Sequence, residues 1–197
     1  QEHRRPLPWR QTRDPYRIWL SEIILQQTRV AQGLPYYHSF IKEFPRLKQL
    51  AEASERDVLR LWQGLGYYSR ARNLHACAKT VQKKYHGKFP ASFSALRELE
   101  GIGDYTAAAI ASFAFHERVA VVDGNVLRVL SRVFGIHEDI ASSRGKRKFS
   151  ELANRLVPQT DPDTYNQAIM EFGALQCVPR NPRCYGCPVS GQCVAFK

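Results

Sequence analysis

Apolar positions along this chain recur every three to four residues, and that period predicts helices; the β-branched alternation that marks strands is scarce. Tyr16, Trp19, Leu20, Ile23, Ile24, Gln27 and Val30 follow Asp14-Pro15 at helical spacing. The aspartate supplies an N-cap and the proline a preset first turn, so a first helix is predicted through Val30 with Glu22 inside it. Ser54-Glu55-Arg56-Asp57 resembles a capping box before Val58, Leu59, Leu61 and Trp62, and Gly64-Leu65-Gly66 ends that short helix. A further helix is predicted over 69–85.

Phe93, Leu96 and Leu99 lead into Gly101-Ile102-Gly103, after which the alanine-rich stretch from Thr106 to Phe115 reads as helix again. This is helix, tight turn, helix. Asp123-Gly124-Asn125 precedes Val126, Val129, Leu130 and Val133, and Asp163 is expected to open a last long helix through Tyr165, Ile169 and Phe172 toward Cys177. The fold class is therefore all-α, with no internal repeat or heptad run.

Composition narrows the partners. Lysine and arginine total 29 against 18 aspartate and glutamate, a formal charge of +11 that favours a polyanion, with nucleic acid the first candidate. No apolar run is long enough to cross a bilayer, so no membrane association is expected. No secretory signal pattern is visible, so an intracellular compartment is the expectation, the cytoplasm, or the nucleus or an organelle in a eukaryote; a monomer is expected as well.

Four of the five cysteines fall together as Cys177-x6-Cys184-x2-Cys187-x5-Cys193, in a loop rich in proline and arginine. In a reducing compartment such clustering points to metal ligands rather than disulfides. Four thiolates hold either a [4Fe-4S] cube or a tetrahedral zinc. With all four positions filled by protein the metal's role is to fix the loop, and Arg180, Arg183 and Lys197 then present charge to phosphates. Cys77, alone in a helix, reads as a small buried apolar residue. Gly101 and Gly103, just before a helix N-terminus, permit positive φ and let backbone N–H groups approach a phosphate without reading sequence.

The cysteine spacing, the Leu96-x-x-Leu99-x-Gly101-Ile102-Gly103 turn and Asp123 about twenty residues on together resemble the helix-hairpin-helix DNA glycosylases that carry one [4Fe-4S] cluster. Leu20-Ser21-Glu22 with Leu25-Gln26-Gln27-Thr28, Gly64-Leu65-Gly66-Tyr67-Tyr68 with Arg70-Ala71-Arg72-Asn73-Leu74, and Val122-Asp123-Gly124-Asn125-Val126 are similar to the MutY-type adenine DNA glycosylases in particular. The match runs from Leu7-Pro8-Trp9-Arg10 to Cys193.

The resemblance implies two lobes: a six-helix lobe over 13–119, and a cluster lobe built from 1–12 and 120–197. It implies a double-stranded DNA partner with adenine mispaired with 8-oxoguanine or guanine, and Glu22 facing Asp123 across a cleft. Adenine is a poor leaving group, so hydrolysis needs an acid on the base and an anion beside the sugar cation. Glu22 is the implied acid, and its apolar chain neighbours favour a retained proton. Asp123 is the implied anion, and it also reads as the N-cap of the next helix. Tyr105 and Asn125 are implied to support the pocket. Tyr105 stands where strand-cleaving relatives carry a lysine, so base removal without efficient β-elimination is expected. Gln27 and Tyr67 resemble the intercalating pair, with Leu65 close by and Thr28 in the same motif; a flipped base leaves a gap that such side chains fill. Arg10 is expected at the base pocket or the backbone, and Gly101, Gly103 and Thr106 at the phosphates.

Two departures accompany the likeness. Glu100 stands where the hairpin usually has proline, placing an acid near the phosphate site. The chain also ends four residues after Cys193, whereas the family normally adds a C-terminal domain that helps recognise 8-oxoguanine, so weaker discrimination is the expectation. Two alternatives stay open: a thymine mismatch glycosylase of the same superfamily, and a non-catalytic iron-sulfur module that only binds DNA.

Overall fold

A computed structural model of the protein describes residues 5–197. Its regular structure there is helical, with no strand among the described residues. The chain divides into two compact units, one of Pro6–Phe115 and one that joins Arg5 to His116–Lys197.

The first unit holds α1 (Pro15–Ile24), α2 (Val30–Glu43), α3 (Leu47–Glu52), α4 (Glu55–Trp62), α5 (Tyr68–Tyr85), α6 (Phe93–Arg97) and α7 (Asp104–Phe115). Asp14 caps α1 as expected, accepting from the Tyr16 amide, and Ser54 caps α4 by accepting from the Asp57 amide. Trp19, Leu20 and Ile24 of α1, Phe40, Leu50, Trp62, Leu74, Leu96 and Ile110 are all essentially inaccessible to solvent. Their removal from water supplies the main driving force for this unit. α7 packs along α1, and its run of alanines lets the two backbones approach closely.

The arm before α1 belongs with this unit from Pro6 onward, because Trp9 of the 3₁₀ turn Pro8–Arg10 is buried edge-on against Tyr37 at 5.1 Å. Only Arg5, among the described arm residues, joins the other unit. Its guanidinium grips Glu171 with two bonds of 2.7 Å, a fork-to-fork pair that satisfies a buried carboxylate. The carboxylate in turn raises the Arg5 pKa.

The second unit contains α8 (Gly124–Phe134), α9 (Ser143–Leu156) and α10 (Pro162–Leu175), followed by the cysteine loop with a 3₁₀ turn at Ser190–Gln192. Val126 and Leu130 of α8 meet Phe149 and Ala153 of α9, with Ile136 and Val157 closing the cluster and Tyr165 and Ile169 of α10 packed against it.

Two expected boundaries move. The first helix does not continue to Val30: it ends at Ile24, the chain turns, and Val30 starts α2. The last helix opens at Pro162 rather than Asp163, behind an Asp161 in the left-handed region. Asp163 has another partner, His116, at 3.1 Å.

Candidate catalytic, DNA-facing and cysteine-loop residues

In the first unit Glu22 lies in α1, half-buried between fully buried Ser21 and nearly buried Ile23. The helix beneath it is held in place because Ile18, Trp19 and Leu20 occupy the core.

What ends α1 is a side chain from α5. The last carbonyls of any helix lack intrahelical donors. Here Arg70 supplies them: its Nη1 donates to the carbonyls of Ile23 at 3.3 Å, Ile24 at 3.4 Å and Gln26, while Nη2 reaches Leu65 at 3.5 Å. Its guanidinium also stacks over the Trp62 ring at 5.3 Å and the Tyr67 ring at 5.4 Å. Burial lowers the Arg70 pKa, opposed by the Tyr67 hydroxyl. Sequence reasoning quoted Arg70 only as part of a motif, since an arginine in a helix is ordinarily a solvated side chain.

The turn so formed carries Gln27, exposed and at φ 56. Thr28 is half-buried and donates to the Gln26 carbonyl at 3.3 Å. Across Arg70 lies Tyr67, at φ 46 and 66% exposed, well beyond what a core tyrosine shows. The loop beneath it is anchored by the Trp62 indole N–H, which donates to the Gly66 carbonyl at 2.9 Å. Leu65, by contrast, has its side chain buried, so on this turn it is Tyr67 that meets solvent.

The glycine turn joins α6 to α7. Ile102 is buried beneath it and Gly101 and Gly103 are exposed. Gly101 has φ 75, and a Cβ there would lie 2.9 Å from Asn73 Cβ, so both backbone angle and space require glycine. Tyr105 is half-buried in the first turn of α7, and Thr106 is buried. Arg97 and Asp104 pair at 2.6 Å across the hairpin, and Glu100 is exposed beside them. Arg10 is half-buried in the 3₁₀ turn.

In the second unit the extended segment before α8 is pinned by side-chain amides. Asn166 accepts from the Val121 amide at 3.1 Å and donates to the Val119 carbonyl at 2.8 Å, and Asn154 accepts from the Ala120 amide at 3.0 Å. This delivers Asp123 to the head of α8. One carboxylate oxygen accepts from the Val126 amide at 2.8 Å and the other from Asn125 Nδ2 at 2.7 Å. The cap and a fixed, oriented carboxylate are thus the same group. Asn125 Oδ1 then accepts from Arg128 Nη2 at 2.8 Å, and that arginine also donates to the carbonyls of Gly173 at 2.6 Å and Cys177 at 2.8 Å. α10 comes so near that a Cβ on Gly173 would lie 2.9 Å from the Asn125 carbonyl oxygen.

The four cysteines line one cavity of about 130 Å³, shared with Arg132, Phe172 and Val189. Arg132 Nη1 lies 3.4 Å from Cys177 Sγ and donates to the Val178 carbonyl at 2.8 Å, while Nη2 reaches Pro179 at 2.9 Å. Among the described residues no three His, Cys, Asp or Glu side chains are drawn around a single-ion site. Arg180, Arg183 and Lys197 are exposed. Arg128 and Arg132, one turn apart on α8, escaped the sequence reasoning; their signal is a pair of cations at positions four apart, directly after Asp123-Gly124-Asn125.

Residues 20–158 match the profile of the HhH-GPD superfamily base excision DNA repair proteins. An adenine DNA glycosylase of Buchnera aphidicola from Schizaphis graminum is 40% identical over 98% of this chain and 56% of its own length. The adenine DNA glycosylase of Homo sapiens is 43% identical over 98% of this chain and 37% of its own. The chain thus spans 56% or less of these two relatives. The structure of a thermostable thymine-DNA glycosylase superposes with a TM-score of 0.90 at 32% identity, covering 98% of this chain and 89% of that one. A trapped endonuclease III–DNA covalent intermediate superposes at 0.81 with 20% identity over 94% and 85%, a likeness of fold.

Proposed function

The chain belongs to the HhH-GPD superfamily of base excision DNA repair proteins, and from that premise we propose that it hydrolyses the N-glycosidic bond of adenine mispaired with 8-oxoguanine or guanine in duplex DNA. The observation that carries this is the Asp123 carboxylate, both of whose oxygens are fixed by the Val126 amide and Asn125. A pre-oriented anion is what an oxocarbenium-like sugar requires. The choice of adenine rests on relatives of that name at 40–44% identity.

Glu22 delivers a proton to adenine N7, so that the electron pair of the breaking C1′–N9 bond leaves on a neutral base. Asp123 stabilises the sugar cation that remains, and water adds to C1′ and gives up a proton that restores the Glu22 carboxyl, leaving free adenine and an abasic site. Tyr105 offers no amine, so no Schiff base forms and the strand stays intact. Gln27 and Tyr67 hold the gap left by the flipped base, and Gly101, Gly103 and the first amides of α7 take a phosphate. The protein acts as a monomer, within the cell.

Cys177, Cys184, Cys187 and Cys193 are the residues to hold a [4Fe-4S] cluster. The four thiols line one shared cavity, and one cysteine thiolate per iron is the ligation that a [4Fe-4S] cube takes. The bound cluster, fully ligated by protein, supplies structure to the loop and no step at the sugar.

A second function, thymine removal, has the weaker support of 32% identity to a thymine-DNA glycosylase, against 40–44% to the adenine DNA glycosylases. Single-turnover reactions on A:8-oxoguanine, A:G and T:G duplexes separate the two. Adenine is the expected product; thymine from T:G replaces the proposal, and no released base at all leaves a DNA-binding module. Iron and sulfide content against zinc content decides the metal.

A further inference from the structure

Gln27 and Tyr67 are forty residues apart in sequence, on turns that follow different helices. Each is a non-glycine residue in the left-handed region, at φ 56 and 46. An L-residue holds that conformation only where its surroundings over-determine it. One side chain touches both turns. Arg70 closes the α1 end by its bonds to the Ile23, Ile24 and Gln26 carbonyls, reaches the Leu65 carbonyl on the other turn, and lies against the Tyr67 ring.

We propose that Arg70 is a positioning residue that locks the Gln27 turn and the Tyr67 turn into one rigid wedge, so that the two exposed side chains enter duplex DNA together. This rests on the duplex-opening function proposed above. The chemistry fits an arginine specifically. Its planar fork satisfies several carbonyls at once and stacks on aromatic faces, which a lysine ammonium does not. Its charge is balanced by the negative end of the α1 dipole and the Trp62 and Tyr67 faces rather than by a carboxylate. A side chain that unstacks bases must resist being pushed back, and separate flexible turns would yield instead of the stack.

The test uses the full chain with Arg70→Met, Arg70→Lys and Tyr67→Ala, on mismatched duplexes carrying 2-aminopurine beside the mispair. Loss of unstacking, read as 2-aminopurine fluorescence, is expected in Arg70→Met, with base release slowed about tenfold or more. Affinity for matched duplex, carried by phosphate contacts, should stay within about twofold. Arg70→Lys should recover only part of the unstacking, and if Arg70→Met does not fold it carries the comparison. The decisive readout is the double-mutant cycle: adding Tyr67→Ala to an Arg70 variant should cost little further, because the wedge is already lost. A merely structural Arg70 gives independent, multiplying losses, which overturns the proposal, as does wild-type unstacking by the Arg70 variants. Wild-type protein that unstacks but releases no base sinks the glycosylase function and leaves the wedge standing. Wild-type protein that does not unstack sinks the wedge.

Discussion

Arg128 ties the cysteine loop to the head of α8, donating from Nε to the Cys177 carbonyl at 2.8 Å and from Nη2 to Asn125 Oδ1 at 2.8 Å. Asn125 passes the connection to Asp123 Oδ2 at 2.7 Å, so one planar side chain spans a cysteine's backbone and the neighbour of the carboxylate. Arg128→Met removes the donor of the Gly124, Gly173 and Cys177 carbonyls and of Asn125 Oδ1 and is expected to cost about 2–4 kcal/mol of stability. Single-turnover base release should fall alongside even at temperatures where the variant is fully folded. Circular dichroism melting with a rate measured well below the transition checks both, and a folded variant with wild-type rate would refute the link.

Asp123 caps α8, and two substitutions separate that role from the electrostatic one proposed for it. Asp123→Asn retains an N-cap oxygen for the Val126 amide, since asparagine caps as well as aspartate, whereas Asp123→Ala loses about 1 kcal/mol. Both lack the negative charge, so both should release base about a hundredfold or more slower. An active Asp123→Asn protein would remove the electrostatic role.

Cys77 is fully buried in α5, and burial, with a smaller contribution from Glu100, pushes its thiol up to about 12. At neutral pH it is a thiol without nucleophilic character. Treating the native, metal-free protein with iodoacetamide should modify Cys177, Cys184, Cys187 and Cys193 and spare Cys77 until denaturant is added. Mass spectrometry of the peptides reads the result directly.

His75 is 3% exposed, its Nε2 is buried without a hydrogen-bond partner, and its pKa is lowered by burial and then by the Lys79 charge. The unfolded chain takes up this proton near pH ~6.5 while the folded one resists it, so folding is favoured above that pH and loses ground as pH falls through it. Urea unfolding should show lower stability at mildly acid than at mildly alkaline pH, with the slope flattened in His75→Gln. An unchanged slope in that variant would assign it to other groups.

The positions of α4, α5 and α7 were legible because each begins at a capping residue or a glycine break, followed by an apolar period in α4 and α5 and by an alanine-rich run in α7. α1 misled because Gln27 and Val30 continue its spacing. The helix instead ends at Ile24, where its carbonyls are taken by Arg70, 46 residues on, and no local signal carries that. α9 was illegible for another reason: Arg144, Lys146, Arg147 and Lys148 obscure the apolar stripe of Phe149, Leu152, Ala153 and Leu156. Among site residues, the four cysteines could be read from spacing alone and are found around one cavity. Asp123 could be read as a cap, but its second partner, Asn125, needed coordinates. The buried state of Leu65 and Thr106 likewise follows from tertiary packing, which motif position does not encode.

The grip of Arg5 on Glu171, 166 positions away, sets an order on biosynthesis. Pro6–Phe115 is uninterrupted, so that unit can condense while later residues are still on the ribosome. The other unit must wait for α10 to emerge before Arg5 finds its carboxylate. The cysteine loop, which follows α10, therefore takes its form last, onto a chain whose first unit is already folded.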